Sequence, residues 1–354
     1  MLYGDINTLS GGYLYDRKLV EICRQHNDEV IIVSLQEKAY IKALTVNKVP
    51  PELLGLGLDV LIQDELVHPA FFRINSKLKE LLKCPVVSLV HLLKSSIPAA
   101  WYKKMVFRMV EKLYLGSVDA LIFNSEHTKY QAGELCNSGL PESITALPCG
   151  DNFGNIEAVR KTYTDKELNI LFVGNISRQK GLHTLLEALK VLNDSGITLS
   201  IAGRLDIDNA YVNSQLKFIN DNDLDKQIRF LGPVTGAVLA KLYQEHELFV
   251  LPSENEAYGI VYLEAMQFYM PVIATNAGGA SELVENHKNG YLITPGDSYE
   301  LAKLIRLLNS DKQLLAELSE NARQKYQNHV HWDETVRKIR QFLQKLVNDK
   351  GVPD

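Results

Sequence analysis

Residues 169–192 read NILFVGNISRQKGLHTLLEALKVL, and this stretch decides the class of fold. A continuous apolar run ends at a glycine, Gly174, a short polar turn follows, and from Leu182 apolar residues recur at helical spacing. A strand that is apolar on both faces and feeds directly into a helix belongs to a parallel sheet covered by helices. The same alternation extends in both directions. Strand candidates upstream are 30–34, 60–63, 86–91, 120–124 and 144–147; downstream they are 198–203, 228–231, 248–251, 272–275 and 290–293. Each half of the chain can build its own doubly wound sheet, so the fold class is α/β with two domains, as 354 residues also suggest. Residues 148–163, rich in Gly, Pro, Asn and Asp, form the natural linker. The domains are therefore placed at 1–155 and 156–332, with a last helix at 333–350. Only Met1–Tyr3 precede the first glycine, so the opening strand is very short or the start lies upstream.

The same turn offers chemistry. A glycine turn at a strand's C-terminal end, opening onto a helix, directs free N–H groups and the positive end of the helix dipole at an anion. Lys180 adds a mobile charge and Arg178 a planar donor fork. A plain strand–helix turn with solvated charges would read the same way, and the spacing is not that of a Walker A loop. The neighbouring segment 251–266, LPSENEAYGIVYLEAM, places Glu256 and Glu264 eight residues apart around Tyr258 and Gly259. If the intervening chain is helical, the two carboxylates lie on one side about 12 Å apart, the reach from a sugar across a diphosphate to a ribose. Carboxylates accept hydrogen bonds from hydroxyls, and Gly259 would let the backbone approach the anion between them. Two acids at this spacing also arise by chance. A third segment, VIATNAGGASELV, repeats the pattern with a strand, a turn at Gly278 and Gly279, and a helix containing Glu282.

In the first half, Gly11 and Gly12 open the helix YLYDRKLVEICRQ, another N-terminus able to face a diphosphate. His91 ends the apolar run VVSLVH, and Asn124 and Ser125 end ALIF, where capping of the following helix explains Ser125. Residues 101–117, WYKKMVFRMVEKLYLGS, mix Lys and Arg with large apolar residues. They suit either a membrane surface or a half-buried helix with solvated charges, and we expect the second.

The bulk composition excludes several classes. A net charge of -5 does not suit a dedicated nucleic-acid binder. The acidic excess lies in the second half. The four cysteines, Cys23, Cys84, Cys136 and Cys149, are scattered, fit a reducing compartment, and make no metal-ligand spacing with histidine, so no metal is expected. No apolar run spans a bilayer and no secretory leader is evident, which points to a cytoplasmic protein.

Taken in order along the chain, SGGYLYDRKL, His91, FVGNISRQKGLHTLLEAL, PSENEAYGIVYLEAM, VIATNAGGASELV and NGYLITPGD resemble the retaining GT-B glycosyltransferases of family 4. Glu256 and Glu264 match both ends of that family's E-x7-E signature. The resemblance implies two Rossmann-like domains facing across a cleft, the first binding acceptor and the second a nucleotide-diphosphate sugar linked to UDP or GDP, with a last helix returning to the first domain. It implies Lys180 at the diphosphate, Glu256 at the sugar, Glu264 at the ribose and His91 beside the reacting sugar. Gly11, Gly12, Asn175, Arg178, Tyr258 and Gly259 complete the expected substrate contacts. The donor sugar is a co-substrate, no cofactor is expected, and the acceptor would be a growing polysaccharide or a lipid-linked glycan. Peripheral contact with the inner membrane face would then follow. In the family, Arg often follows the strand-end glycine; here that position is Asn175, so Arg178 should take over part of the phosphate charge. A nucleotide-sugar epimerase or hydrolase, or a non-catalytic sugar-nucleotide binder, would use the same architecture.

Overall fold

The computed structural model describes residues 1–36, 38–137, 139–154, 156–163 and 167–349. Asn155 at the expected domain boundary and Lys350 at the end of the expected last helix lie outside them. The chain divides into two compact units, one made of Met1–Pro148 and the segment from Trp332, the other of Cys149–His331. Residues 149–154, assigned by sequence to the first domain, pack with the second unit because Asn152 and Phe153 point into its core. Phe153 meets the rings of Tyr243 and Phe268 edge-on at 5.8 and 5.4 Å. Trp332 goes the other way: its ring stands against Tyr15 of the first unit at 5.2 Å.

In the second unit, six parallel strands form one sheet in the order Gly290–Ile293, Val272–Thr275, Leu248–Leu251, Leu168–Val173, Ile197–Ala202, Ile228–Gly232. Chain order runs outward in one direction from Leu168–Val173 and in the opposite direction from Leu248–Leu251. The reversal leaves a crevice at the C-terminal ends of these two strands, where ligands of open α/β sheets bind. Leu248–Leu251 and Val272–Thr275 are buried along their whole length, as the unbroken apolar runs require.

The first unit carries a parallel sheet of Leu61–Asp64, Val86–Val90, Ala120–Phe123 and Glu142–Thr145. A two-residue pair, Leu2–Tyr3 with Ser34–Leu35, joins its edge through Met1, whose terminal amine donates to the Ile62 carbonyl and whose carbonyl accepts from Asp64. The strand expected at 30–34 is therefore largely missing. Its partner is only two residues long, Leu2 N–H reaches the Val33 carbonyl, and residues 30–33 instead line a cavity of about 850 Å³ with Leu58, Val60 and Leu343. The helix Trp332–Asp349 packs on Gly11–Gln25, and Arg340 forks onto both oxygens of Asp28. Among the described residues no helix is long and apolar enough to cross a membrane.

Candidate functional site

The crevice of the second unit is assembled from three loops that neighbouring strands bring together. After Leu168–Val173 the chain makes a single turn at Arg178–Lys180 and enters the helix Leu182–Leu192. Gly181 links them with φ 69°, and a Cβ there would stand 1.9 Å from the Pro252 carbonyl oxygen. Only glycine lets this turn lie directly on the loop that follows Leu248–Leu251. The two loops are then laced together: Glu254 N–H donates to the Gln179 carbonyl at 2.8 Å, and Gln179 Nε2 donates to the Asn255 carbonyl at 3.1 Å.

This lacing sets Lys180 against Glu256. Nζ donates to Oε2 at 2.7 Å, and Ser253 Oγ donates to the same oxygen at 3.1 Å. The third loop completes the support, since Glu256 pairs with Gly278 as an isolated parallel bridge and its carbonyl accepts from Gly279 N–H. The segment after Gly278 is a single tight turn, Gly279–Glu282, rather than the helix expected there.

The helix after Glu256 begins only at Ile260, so a helical rise over all eight residues between the two glutamates does not describe the site. Glu256 sits in a loop, and Glu264 lies in the second turn of a helix that is buried on nearly every side. Glu264 is 5% exposed; Asn152 Nδ2 donates to Oε1 at 2.7 Å and the Tyr243 hydroxyl to Oε2 at 2.9 Å. Burial outweighs these two donors and pushes its carboxyl up to about 7. Gly259 has φ 95°, and the Tyr262 ring occupies the space a Cβ would need. Tyr258 is buried, and its hydroxyl donates to His329 Nε2 at 2.6 Å, so the backbone N–H groups of this helix start are what the segment offers an anion.

Asn175 accepts from the Arg204 N–H at 3.4 Å, while Ile176 N–H donates to the Arg204 carbonyl at 2.9 Å. Arg204 thus stands at the neighbouring strand end, beside the position that lacks the family's arginine, and forks onto Asp206. Arg178 is 71% exposed and 3.3 Å from Glu254. Sequence reading passed over Arg204, although SIAGRLD shows a cation directly after a strand-end glycine. It also passed over Ser253, three residues from Glu256, and Asn152 and Tyr243, which only tertiary structure brings to Glu264.

In the first unit, Ser10 caps the helix Gly11–Gln25, and a Cβ on Gly12 would stand 3.4 Å from His91 Cδ2. His91 Nε2 donates to Asp16 Oδ1 at 3.0 Å, and Tyr15 packs edge-on against the imidazole. Burial opposes the protonated ring, but Asp16, then Asp64 and Glu65, outweigh it and push its pKa up to about 9. At neutral pH both ring nitrogens therefore carry protons, and Nδ1 has no partner among the described residues. Asp16, one turn inside the helix, is a further residue the sequence reading missed. Ser125 caps the helix Glu126–Cys136 through Thr128, which accounts for it structurally.

Two groups in this unit bring ligand atoms within 4.8 Å of one another: Asp16, Asp64 and His91, and Glu65, His68 and Glu111. These are the residues that could hold a cation. In each, the imidazole already lies 3.0 or 2.9 Å from a carboxylate oxygen and has a raised pKa.

Comparison with known proteins accords with this geometry. The family described as glycosyl transferases group 1 matches residues 156–325. The capsular polysaccharide biosynthesis glycosyltransferase CapM of Staphylococcus aureus is 26% identical over 262 residues, covering 69% of this chain and 67% of that protein. A glycogen synthase of Mycobacterium tuberculosis is 27% identical over 281 residues, covering 75% and 63%. The chain thus spans about two thirds of the length of these relatives. Sucrose-phosphate synthase from Thermosynechococcus elongatus superposes with a TM-score of 0.80 at 20% identity over 98% of both chains. HepE of Anabaena, solved with UDP-glucose, gives 0.73 at 20% identity over 97% of this chain and 98% of that one. Residues 156–325, just under half of the chain, thus match the glycosyl transferases group 1 family, and the chain as a whole has the GT-B fold.

Proposed function

We propose that the protein moves a hexose from a nucleoside-diphosphate donor to a hydroxyl of a polysaccharide or lipid-linked glycan, with retention of anomeric configuration. The observation that carries the reading is the Lys180–Glu256 pair at the switch point of the second sheet, within reach of a helix N-terminus. With no donor bound, the two charges satisfy each other. A diphosphate competes for Lys180, because an ammonium interacts more strongly with a doubly charged neighbour than with one carboxylate. Glu256 is then released, still held by Ser253, to accept hydrogen bonds from sugar hydroxyls.

As the glycosidic bond breaks, negative charge grows on the leaving diphosphate. Lys180, the N–H groups at the start of Ile260–Gln267 and the cations Arg204 and Arg178 oppose it. Glu264 uses its remaining lone pairs on the ribose, with Asn152 and Tyr243 fixing its orientation. In the first unit, His91 offers the Nδ1 proton to a hydroxyl of the transferred sugar, and Asp16 keeps the ring protonated and aligned. His91 acts here as a donor, because a group with a pKa near 9 is a poor base at neutral pH. The reaction needs no metal, and activity abolished by a chelator would overturn that part.

The complex of HepE with UDP-glucose supports UDP-glucose as the first donor to try. A thermal-shift screen against UDP, GDP, ADP and their sugars tests the reading, with a rise in melting temperature expected for UDP and its hexose. No rise with any nucleotide would overturn it. Product analysis with and without acceptor separates transfer from epimerisation or hydrolysis.

A further inference from the structure

The helix Trp101–Leu115 of the first unit was expected to be half-buried with solvated charges, and one face is indeed packed through Val110, Glu111, Tyr114 and Leu115. Its opposite face is not the polar surface such a helix normally turns to water. At about 100° per residue, Trp101, Tyr102, Met105, Val106, Met109 and Leu113 fall within one arc of about 140°, and all six are exposed. Trp101, Met105, Met109 and Leu113 are 73%, 62%, 59% and 52% accessible. Exposed Trp and Met in this number on a single helix mark an interaction surface rather than scattered surface apolars.

The exposed charges of this helix have one sign. At the same spacing Arg108 falls about 20° outside the arc and Lys112 about 20° inside its edge; both are exposed, as is Lys103 nearer the helix start, and none of the three has an acidic side chain within ion-pairing distance among the described residues. The helix's single acid, Glu111, is buried on the inner side, where it accepts from Ser95 N–H at 3.2 Å. A protein of net charge -5 therefore presents here an apolar stripe on a helix whose exposed charges are all cations.

We propose that this face is a docking surface for an anionic lipid bilayer. The helix would lie in the interfacial plane with Trp101, Met105 and Met109 among the acyl chains and Arg108 and Lys112 at the headgroups. An apolar stripe of about 18 Å with a tryptophan at one end and exposed basic residues beside it is what that environment selects. The exposed cations choose an anionic lipid surface over a second copy docked face to face, because two copies of this face would bring like charges together.

Co-sedimentation of the full chain with vesicles tests this independently of donor binding. The wild type should pellet with vesicles of phosphatidylcholine containing about 30% phosphatidylglycerol and stay in solution with phosphatidylcholine alone. Trp101→Ser/Met105→Ser/Met109→Ser should lower partitioning about a hundredfold at an unchanged melting temperature. Lys103→Ser/Arg108→Ser/Lys112→Ser should lower it about fivefold per residue, with a weaker salt dependence. Wild type that remains in solution with the anionic vesicles, or an apolar variant that pellets like the wild type, overturns the proposal. So does a lipid-free dimer by sedimentation velocity that the apolar variant dissociates, since a second copy would then be the occupant.

Discussion

Replacing Glu264 by Gln should make the protein more stable at neutral and alkaline pH while weakening its grip on the nucleotide. The carboxyl is buried and its pKa stands at about 7 against an ordinary 4.5. In the unfolded chain the group ionises near the ordinary value, so between 4.5 and 7 the folded state holds more protons than the unfolded one. Stability is then greatest below 4.5 and declines as pH rises through 7. The accumulated cost of ionising the buried group is roughly 3 kcal/mol above pH 7, as an upper bound. Gln has nearly the same shape and does not titrate. Its oxygen can still accept from Asn152, and its amide can donate to the Tyr243 oxygen, so both contacts survive.

Urea titrations followed by circular dichroism at about pH 5 and about pH 8.5 should show the advantage of the variant growing by up to about 3 kcal/mol between the two. Affinity for UDP should fall at least about tenfold, the loss expected for one charge-assisted hydrogen bond to the ribose. A stability difference that does not change with pH would refute the reasoning about burial. Unchanged UDP affinity would refute the ribose role alone.

Gly181→Ala should destabilise the chain by about 2 kcal/mol or more, because the new methyl meets the Pro252 carbonyl at a positive φ; thermal melts comparable to wild type would show that the loop contact can relax. Arg204→Ala should weaken UDP binding about tenfold by calorimetry and Arg178→Ala less, since Arg204 lies beside Asn175 whereas Arg178 is turned to solvent; unchanged binding in both would leave the missing family arginine uncompensated. Turnover should fall as pH rises through about 9, where His91 loses the proton it donates, and Asp16→Asn should move that limb toward the ordinary 6.5. The His91–Asp16 pairing likewise stabilises the fold fully below 6.5 and is lost as pH passes 9; a profile unmoved by Asp16→Asn would exclude His91 as its source.

The fold was legible because its strands are short apolar runs in a regular rhythm with helices. Leu248–Leu251, Val272–Thr275 and Gly290–Ile293 fall where the sequence alone places them. The strand expected at 30–34 was not, since its apolar residues say nothing about the length of the partner they need, and Leu2–Tyr3 provides two residues only. Lys180 and Glu256 could each be placed in loops at strand ends from the glycine turns beside them, but their contact with each other could not. The carbonyl lacing between residues 179 and 255 that holds them was hidden, as backbone bonds between loops leave no mark in side-chain pattern. Glu264 was read as lying with Glu256 on one side of a helix, whereas Asn152 and Tyr243, distant in sequence, hold it inside the core. Trp101–Leu115 is half-buried with exposed basic residues, as read, but which arc is covered was hidden, because its apolar residues lie all around the helix.

The central claim is that a nucleoside diphosphate displaces Glu256 from Lys180. Calorimetric titration of UDP into the wild type, Lys180→Ala and Glu256→Gln tests it most directly. Lys180→Ala should bind UDP at least about tenfold more weakly, the worth of one charge-assisted contact, and Glu256→Gln should bind it as tightly or more tightly, because the competing carboxylate is gone. Equal affinity in wild type and Lys180→Ala, or loss of UDP binding in Glu256→Gln at an unchanged melting temperature, would contradict the account.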